Sequence, residues 1–126
     1  MDSKTSRRII AALRKLTYSH APRTCAKRRA KVAPATYRCE HCGLVVYEGS
    51  KSLEKADLSQ FERVVKGKTH MDHKEPVVDP EKGFETWDIY IKRMFCDEDG
   101  WQVLCEECHS IKTQLEKELK KNRKNR

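Results

Sequence analysis

The sequence predicts a small α+β domain, and three observations carry that prediction. Two Cys-x-x-Cys pairs, Cys39/Cys42 and Cys105/Cys108, are separated by 62 residues (43–104) and read as one structural four-thiolate zinc site. Apolar residues recur at helical spacing through Phe84, Trp87, Tyr90, Ile91, Met94 and Phe95, and again through Ile111, Leu115 and Leu119. Between the helices, Leu44-Val45-Val46-Tyr47 follows the first cysteine pair and Trp101-Gln102-Val103-Leu104 enters the second, each a short strand. Only 37% of the 126 residues are apolar, so a single thin core is expected, with the metal helping to close it.

The elements follow in chain order. Ile9, Ala12, Leu13 and Leu16 keep helical step among Arg7, Arg8, Arg14 and Lys15, which predicts a basic amphipathic helix over 4–17. Residues 18–35 carry Pro22, Pro34 and the run Lys27-Arg28-Arg29-Ala30-Lys31, and read as an extended or partly helical basic linker. Residues 1–35 thus form a basic N-terminal extension, of which residues 1–31 should be removable with a folded zinc core remaining; residues 36–121 form the zinc-stabilised domain, and 122–126 a basic tail. Within the domain, Tyr37 to Tyr47 is a knuckle and its following strand, with Gly43 at a permissive position. His41, between two cysteines, is expected on the surface. A weak period through Leu53, Leu58, Phe61 and Val64-Val65 suggests one helix near 53–65. Thr69 to Asp79 is a strand region that Pro76 interrupts. A helix over 84–95 follows, its aromatics in step with the aliphatics and therefore core. Cys96-Asp97-Glu98-Asp99-Gly100 is an acidic turn, and the last helix covers 106–121.

Charge is divided unevenly along the chain. Residues 1–35 hold ten Lys/Arg and one acid, a net of +9; residues 36–111 hold ten and sixteen, a net of −6; residues 112–126 hold seven and two, a net of +5. Basic ends around an acidic centre suggest nucleic acid as partner, because Lys/Arg neutralise phosphates whatever the base sequence. The candidate DNA contacts are Arg7, Arg8, Arg14, Lys15, Lys27, Arg28, Arg29, Lys31 and Lys112. The first 20 residues lack a continuous apolar region and no stretch is long enough to span a bilayer, so a cytoplasmic protein with no membrane partner is expected. That setting also favours metal-bound over oxidised cysteines. Cys25 and Cys96 remain outside the clasp, the first a bystander and the second a small buried residue.

Asp72-His73, an aromatic helix, then Leu104-Cys105-x-x-Cys108-His109-x-x-Lys112-Thr113 resemble the HNH endonuclease family, most of all its small zinc-clasped bacteriophage members. The resemblance covers about residues 37–115. It implies a ββα-metal core and a nuclease that hydrolyses DNA phosphodiesters with one divalent ion, Mg²⁺ or Mn²⁺, beside the structural Zn²⁺. By the same match, Asp72 and His109 are implied as ligands of that ion, His73 as general base, and Cys39, Cys42, Cys105 and Cys108 as the zinc clasp. Such a site asks for a hard cation on the phosphate oxygens and an imidazole that takes a proton from water. Lys112, one turn beyond His109, would contact a neighbouring phosphate. The family's Asn-Leu-Gln before Leu-Cys is replaced here by Gly100-Trp101-Gln102, so the residue that usually braces the base is missing; Asp97, Asp99, a water or a backbone carbonyl are the substitutes. His70 is read as an exposed neighbour without a role. Asp72 and His73 are adjacent and face opposite sides of a regular strand, so one phosphate can use both only if the strand twists or bulges. Two other readings are a catalytically impaired nucleic-acid-binding protein, and an adaptor for a phage replication or packaging assembly in the host cytoplasm.

Overall fold

In the computed structural model, which describes residues 1–125, Asp2 starts the first helix by accepting the Thr5 N–H at 2.7 Å. Helix α1 (Ser3–Leu16) ends with Arg14 and Lys15 in its last turn, the favourable sign for a C-terminus. A 3-10 turn (Thr17–Ser19) leads directly into α2 (Ala21–Ala30), whose Pro22 sits in the first turn, where a missing N–H costs nothing. The linker expected over 18–35 is therefore mostly ordered structure. Its physical basis is the pair Ala26 and Ala30, one turn apart and 0% and 6% exposed, which lets the helix lie close against a core strand; the surrounding basic residues hide that small face.

Four short strands form one sheet in the order β1 (Lys31–Ala33), β2 (Thr36–Arg38), β3 (Val45–Tyr47), β4 (Val64–Lys66). The first three are antiparallel neighbours, with Ala35 at φ 55° in the turn between β1 and β2. The fourth runs parallel to β3, and residues 48–63 supply the crossover that a parallel pair requires. That crossover replaces the helix expected at 53–65. Only α3 (Leu53–Ala56) is helical; Asp57 ends it in the left-handed region at φ 52°, and the β-branched Val64-Val65 join the sheet. Because β1 belongs to this sheet, residues 31–33 of the basic extension are part of the domain.

A separate antiparallel pair, β5 (Thr69–His73) and β6 (Trp101–Cys105), is joined through α4 (Trp87–Met94), and β6 runs straight into α5 (Glu106–Lys124). The Glu-Pro-Val-Val run after His73 is not a strand. Thr86 caps α4, accepting the Ile89 N–H at 3.2 Å, so this helix starts three residues later than its apolar period suggests. Tyr90 and Met94 are buried, whereas Phe84, before the cap, is half exposed.

The core joins both sheets. Cys39 and Val46 from the first pack with Leu104 and Cys105 from the second, flanked by Leu44 and Cys108. Two of the four cysteines, Cys39 and Cys105, are thus core residues, while Cys42 is exposed and Cys108 partly so, which sets the cluster at the edge of the core. On α5, Ile111, Leu115 and Leu119 are 55%, 56% and 39% exposed, so the period that predicted the helix marks an open face. Among the described residues no helix is long and apolar enough to cross a membrane.

Candidate functional site

The first knuckle is shaped by its backbone. The Cys39 N–H donates to Leu44 O at 2.8 Å and the Gly43 N–H to Cys39 O at 2.9 Å, with Gly43 in the left-handed region at φ 82°. The second knuckle begins where β6 ends: Cys105 caps α5, its Sγ accepting the Cys108 N–H at 3.5 Å. The four Sγ atoms lie within 4.8 Å of one another, and Cys42 to Cys105 is 3.7 Å. A tetrahedral ion with bonds of about 2.3 Å sets sulfur atoms about 3.8 Å apart, so the four cysteines fit a divalent metal of zinc type. Burial raises the Cys39 thiol, but backbone N–H groups of Cys42, Cys105 and His41 outweigh it and hold its pKa down, to about 6. Burial and the neighbouring sulfurs push Cys108 up. One thiol is thereby prepared as thiolate, while another is held protonated by its crowded neighbours; a cation removes that conflict.

Arg29 fastens this knuckle to β6. Its guanidinium donates to both Glu40 carboxylate oxygens, at 3.0 and 2.9 Å, and to Trp101 O at 2.9 Å, and it pairs with Glu98 at 3.4 Å. Glu40 in turn accepts the Val103 N–H at 2.9 Å, and its own N–H donates to Val103 O. Sequence reading places Arg29 among phosphate contacts; the fold engages it within the protein, and Lys27 likewise pairs with Glu48 at 3.0 Å. Arg29→Ala is expected to cost about 2 kcal/mol, since charge-assisted bonds are lost at a partly exposed site. Burial raises the Glu40 carboxyl, but Arg29 and the Val103 N–H hold its pKa below the usual glutamate value. The contribution of this pair is therefore complete above the usual glutamate pKa and fades as pH falls through the lower folded value. Urea midpoints of wild type and Arg29→Ala should differ at neutral pH and converge in acid; parallel curves at all pH values would deny the pair that role.

Asp72 and His73 close the other end of β5. The register with β6 is regular, Asp72 opposite Gln102 and His73 opposite Trp101, with no bulge. Asp72 faces α5, where its Oδ2 accepts from Lys112 Nζ at 3.0 Å and Gln102 Nε2 at 2.9 Å. His73 faces the opposite way, against the Trp101 ring at 3.9 Å between centroids. Its Nε2 lies 3.0 Å from Met94 O. A carbonyl only accepts, so Nε2 carries the proton and Nδ1 keeps the lone pair. The last turn of α4 thus orients the imidazole through a backbone carbonyl, the partner being Met94 O and not the candidate Asp97 or Asp99. Burial, with Lys112 and Arg23 nearby, lowers the His73 pKa against the opposing pull of Met94 O and Asp72. The ring is therefore neutral at physiological pH.

Although they face opposite ways, Asp72 and His73 open on one cleft of about 440 Å³, because both sit at the end of the strand. Arg14 of α1, Tyr18 of the 3-10 turn and Arg23 of α2 cover it from the N-terminal side, and Lys112 and Glu116 of α5 form the far wall. Lys112 donates to Asp72, to Glu116 Oε1 at 2.6 Å and to His73 O at 2.9 Å, so all three ammonium protons are engaged within the protein. His109 lies one turn before it with its ring stacked on that of His70, centroids 4.3 Å apart and planes 2° from parallel. The His70 ring, read as exposed and without a role, is half-buried against a candidate ligand. Among the described residues, the four cysteines form the group of three or more metal donors close enough to share one ion. No family model, curated protein or solved structure matches the chain.

Sequence reading missed Arg23 and Tyr18 as cleft residues and Met94 as the brace. The available signal was Pro22, which starts a helix as readily as it breaks one. Arg7, Arg8, Lys15, Arg28 and Lys31 are exposed and lie outside the cleft lining.

Proposed function

We propose that this chain is a zinc-clasped, metal-dependent nuclease of HNH type, with β5, β6 and α5 as its ββα-metal core. The observation that carries this reading is the cleft: a carboxylate and a braced, neutral imidazole open on one concavity under Arg14 and Arg23. His73, basic at Nδ1, is the general base, and a hard divalent ion bound by Asp72 and His109 would supply charge stabilisation for the leaving oxygen. Both partners of Asp72 fall on Oδ2, which leaves Oδ1 as the donor for that ion. DNA is the proposed substrate because the cations around the cleft suit a phosphate backbone.

A second reading, a zinc-stabilised nucleic-acid-binding protein without hydrolysis, is favoured by the Lys112 ammonium. It sits 3.0 Å from Asp72 and supplies a positive charge where a metal would otherwise be needed. Incubation of supercoiled plasmid with the zinc-loaded protein and Mg²⁺ or Mn²⁺ separates the two. Nicking is expected, with a rate that rises through an imidazole titration below the ordinary histidine value near 6.5 and is level above neutrality. Retention of plasmid on the protein without nicking in either metal would establish the second reading.

A further inference from the structure

We propose that Arg23, carried on α2 from outside the β5–β6–α5 unit, is the residue that seats a DNA phosphate in the cleft beside His73. The proposal rests on the nucleic-acid reading above and deepens it by naming the cation that holds the substrate. Arg23 lines the same cleft as Asp72 and His73. Its guanidinium lies 5.1 Å from the Tyr18 ring centroid and 5.8 Å from that of Trp101, the ring against which His73 also rests. Arg23 and His73 therefore share one aromatic support. Cation–π contacts of this kind hold the guanidinium in place before any ligand arrives.

Arg14 and Arg23, the two arginines of the cleft lining, both lack a carboxylate partner, and of the two Arg23 is the one withdrawn from solvent. Among the described residues, Lys27, Arg29 and Lys112 each hold at least one acid within 4.0 Å, whereas half-buried Arg23 is in no ion pair. The two acids on the cleft wall, Asp72 and Glu116, are both held by Lys112. A guanidinium removed from water without a counter-charge is unfavourable until an anion completes it. Arg14, Arg23 and Lys112 stand in the lining against Asp72 and Glu116, three cations to two carboxylates. A phosphodiester fits this vacancy in charge and shape, because two of its oxygens match the parallel N–H groups of the guanidinium fork.

The test measures binding of a short DNA duplex by fluorescence anisotropy over a range of salt, with the full zinc-loaded chain and no Mg²⁺. Arg23→Ala should bind about 10- to 100-fold more weakly, the usual effect of losing a charge-assisted bond, and its log K against log[salt] slope should be shallower by about 1. Arg23→Met keeps an apolar stem against Tyr18 and Trp101 while removing the charge, and should show the same loss with unchanged zinc content and circular dichroism. Wild-type affinity and slope in Arg23→Met overturn the proposal. Failure of the nuclease reading is visible separately, as a wild-type protein that never nicks plasmid while the Arg23 variants still lose affinity.

Discussion

Cys105→Ser and Cys108→Ser are each expected to abolish the folded state, not merely weaken it. A structural zinc supplies on the order of 10 kcal/mol of apparent binding energy, comparable with the whole stability of a domain this size. Here two of the ligands are also core residues: Cys39 and Cys105 are 1% and 2% exposed and pack with Val46 and Leu104. Removing the ion would leave crowded thiols at the junction of the two sheets. The wild type should carry about one zinc per chain, and both variants should show unfolded circular dichroism and no cooperative melt. A cooperative transition within a few degrees of wild type in Cys108→Ser would show that the apolar contacts alone hold the fold.

His73→Ala should lower hydrolysis by about 10² to 10⁴ while leaving duplex affinity and zinc content unchanged, the usual effect of removing a general base. Asp72→Ala and His109→Ala should instead raise the Mn²⁺ concentration required for cleavage. Asp72→Ala also frees Lys112, whose pKa burial lowers but which Glu116 and Asp72 together hold above the usual lysine value. Duplex binding in that variant should therefore tighten even as cleavage falls. Cleavage by His73→Ala at the wild-type rate would remove the imidazole from the mechanism. Equal metal requirements in all three variants would deny the separation of base from ligands.

The cysteine spacing made the metal cluster legible before any coordinates, since thiolate pairs at this distance have few other uses in a reduced chain. Strands beside each knuckle and the last helix were legible for a related reason: each carries a local pattern that its environment does not override. The N-terminal third was read less well. Its basic residues suggested a short helix and an extended or partly helical linker outside the domain, yet Ala26 and Ala30 place α2 against β6, and Arg29 ties it to Glu40 and Trp101. Removal of residues 1–31 would take away that contact. The helix expected at 53–65 failed because its period rested on few apolar residues, and the β-branched Val64-Val65, in step with Leu58 and Phe61 for a helix, pair with β3 instead. Nothing local could show that Met94 O braces His73: that contact depends on where α4 ends, 21 residues further along the chain.

The placement of the two knuckles also fixes an order in time. Synthesis at about 5–20 residues per second puts roughly 3 to 12 s between the emergence of Cys42 and that of Cys105. Through that interval the nascent chain carries a pair of thiols without the sulfurs that complete the cage. Cys39 owes part of its acidity in the complete fold to the Cys105 N–H, so its thiolate is less populated until Cys105 arrives. The backbone contact that favours the Cys39 thiolate thus reaches it together with the sulfurs that complete the cage.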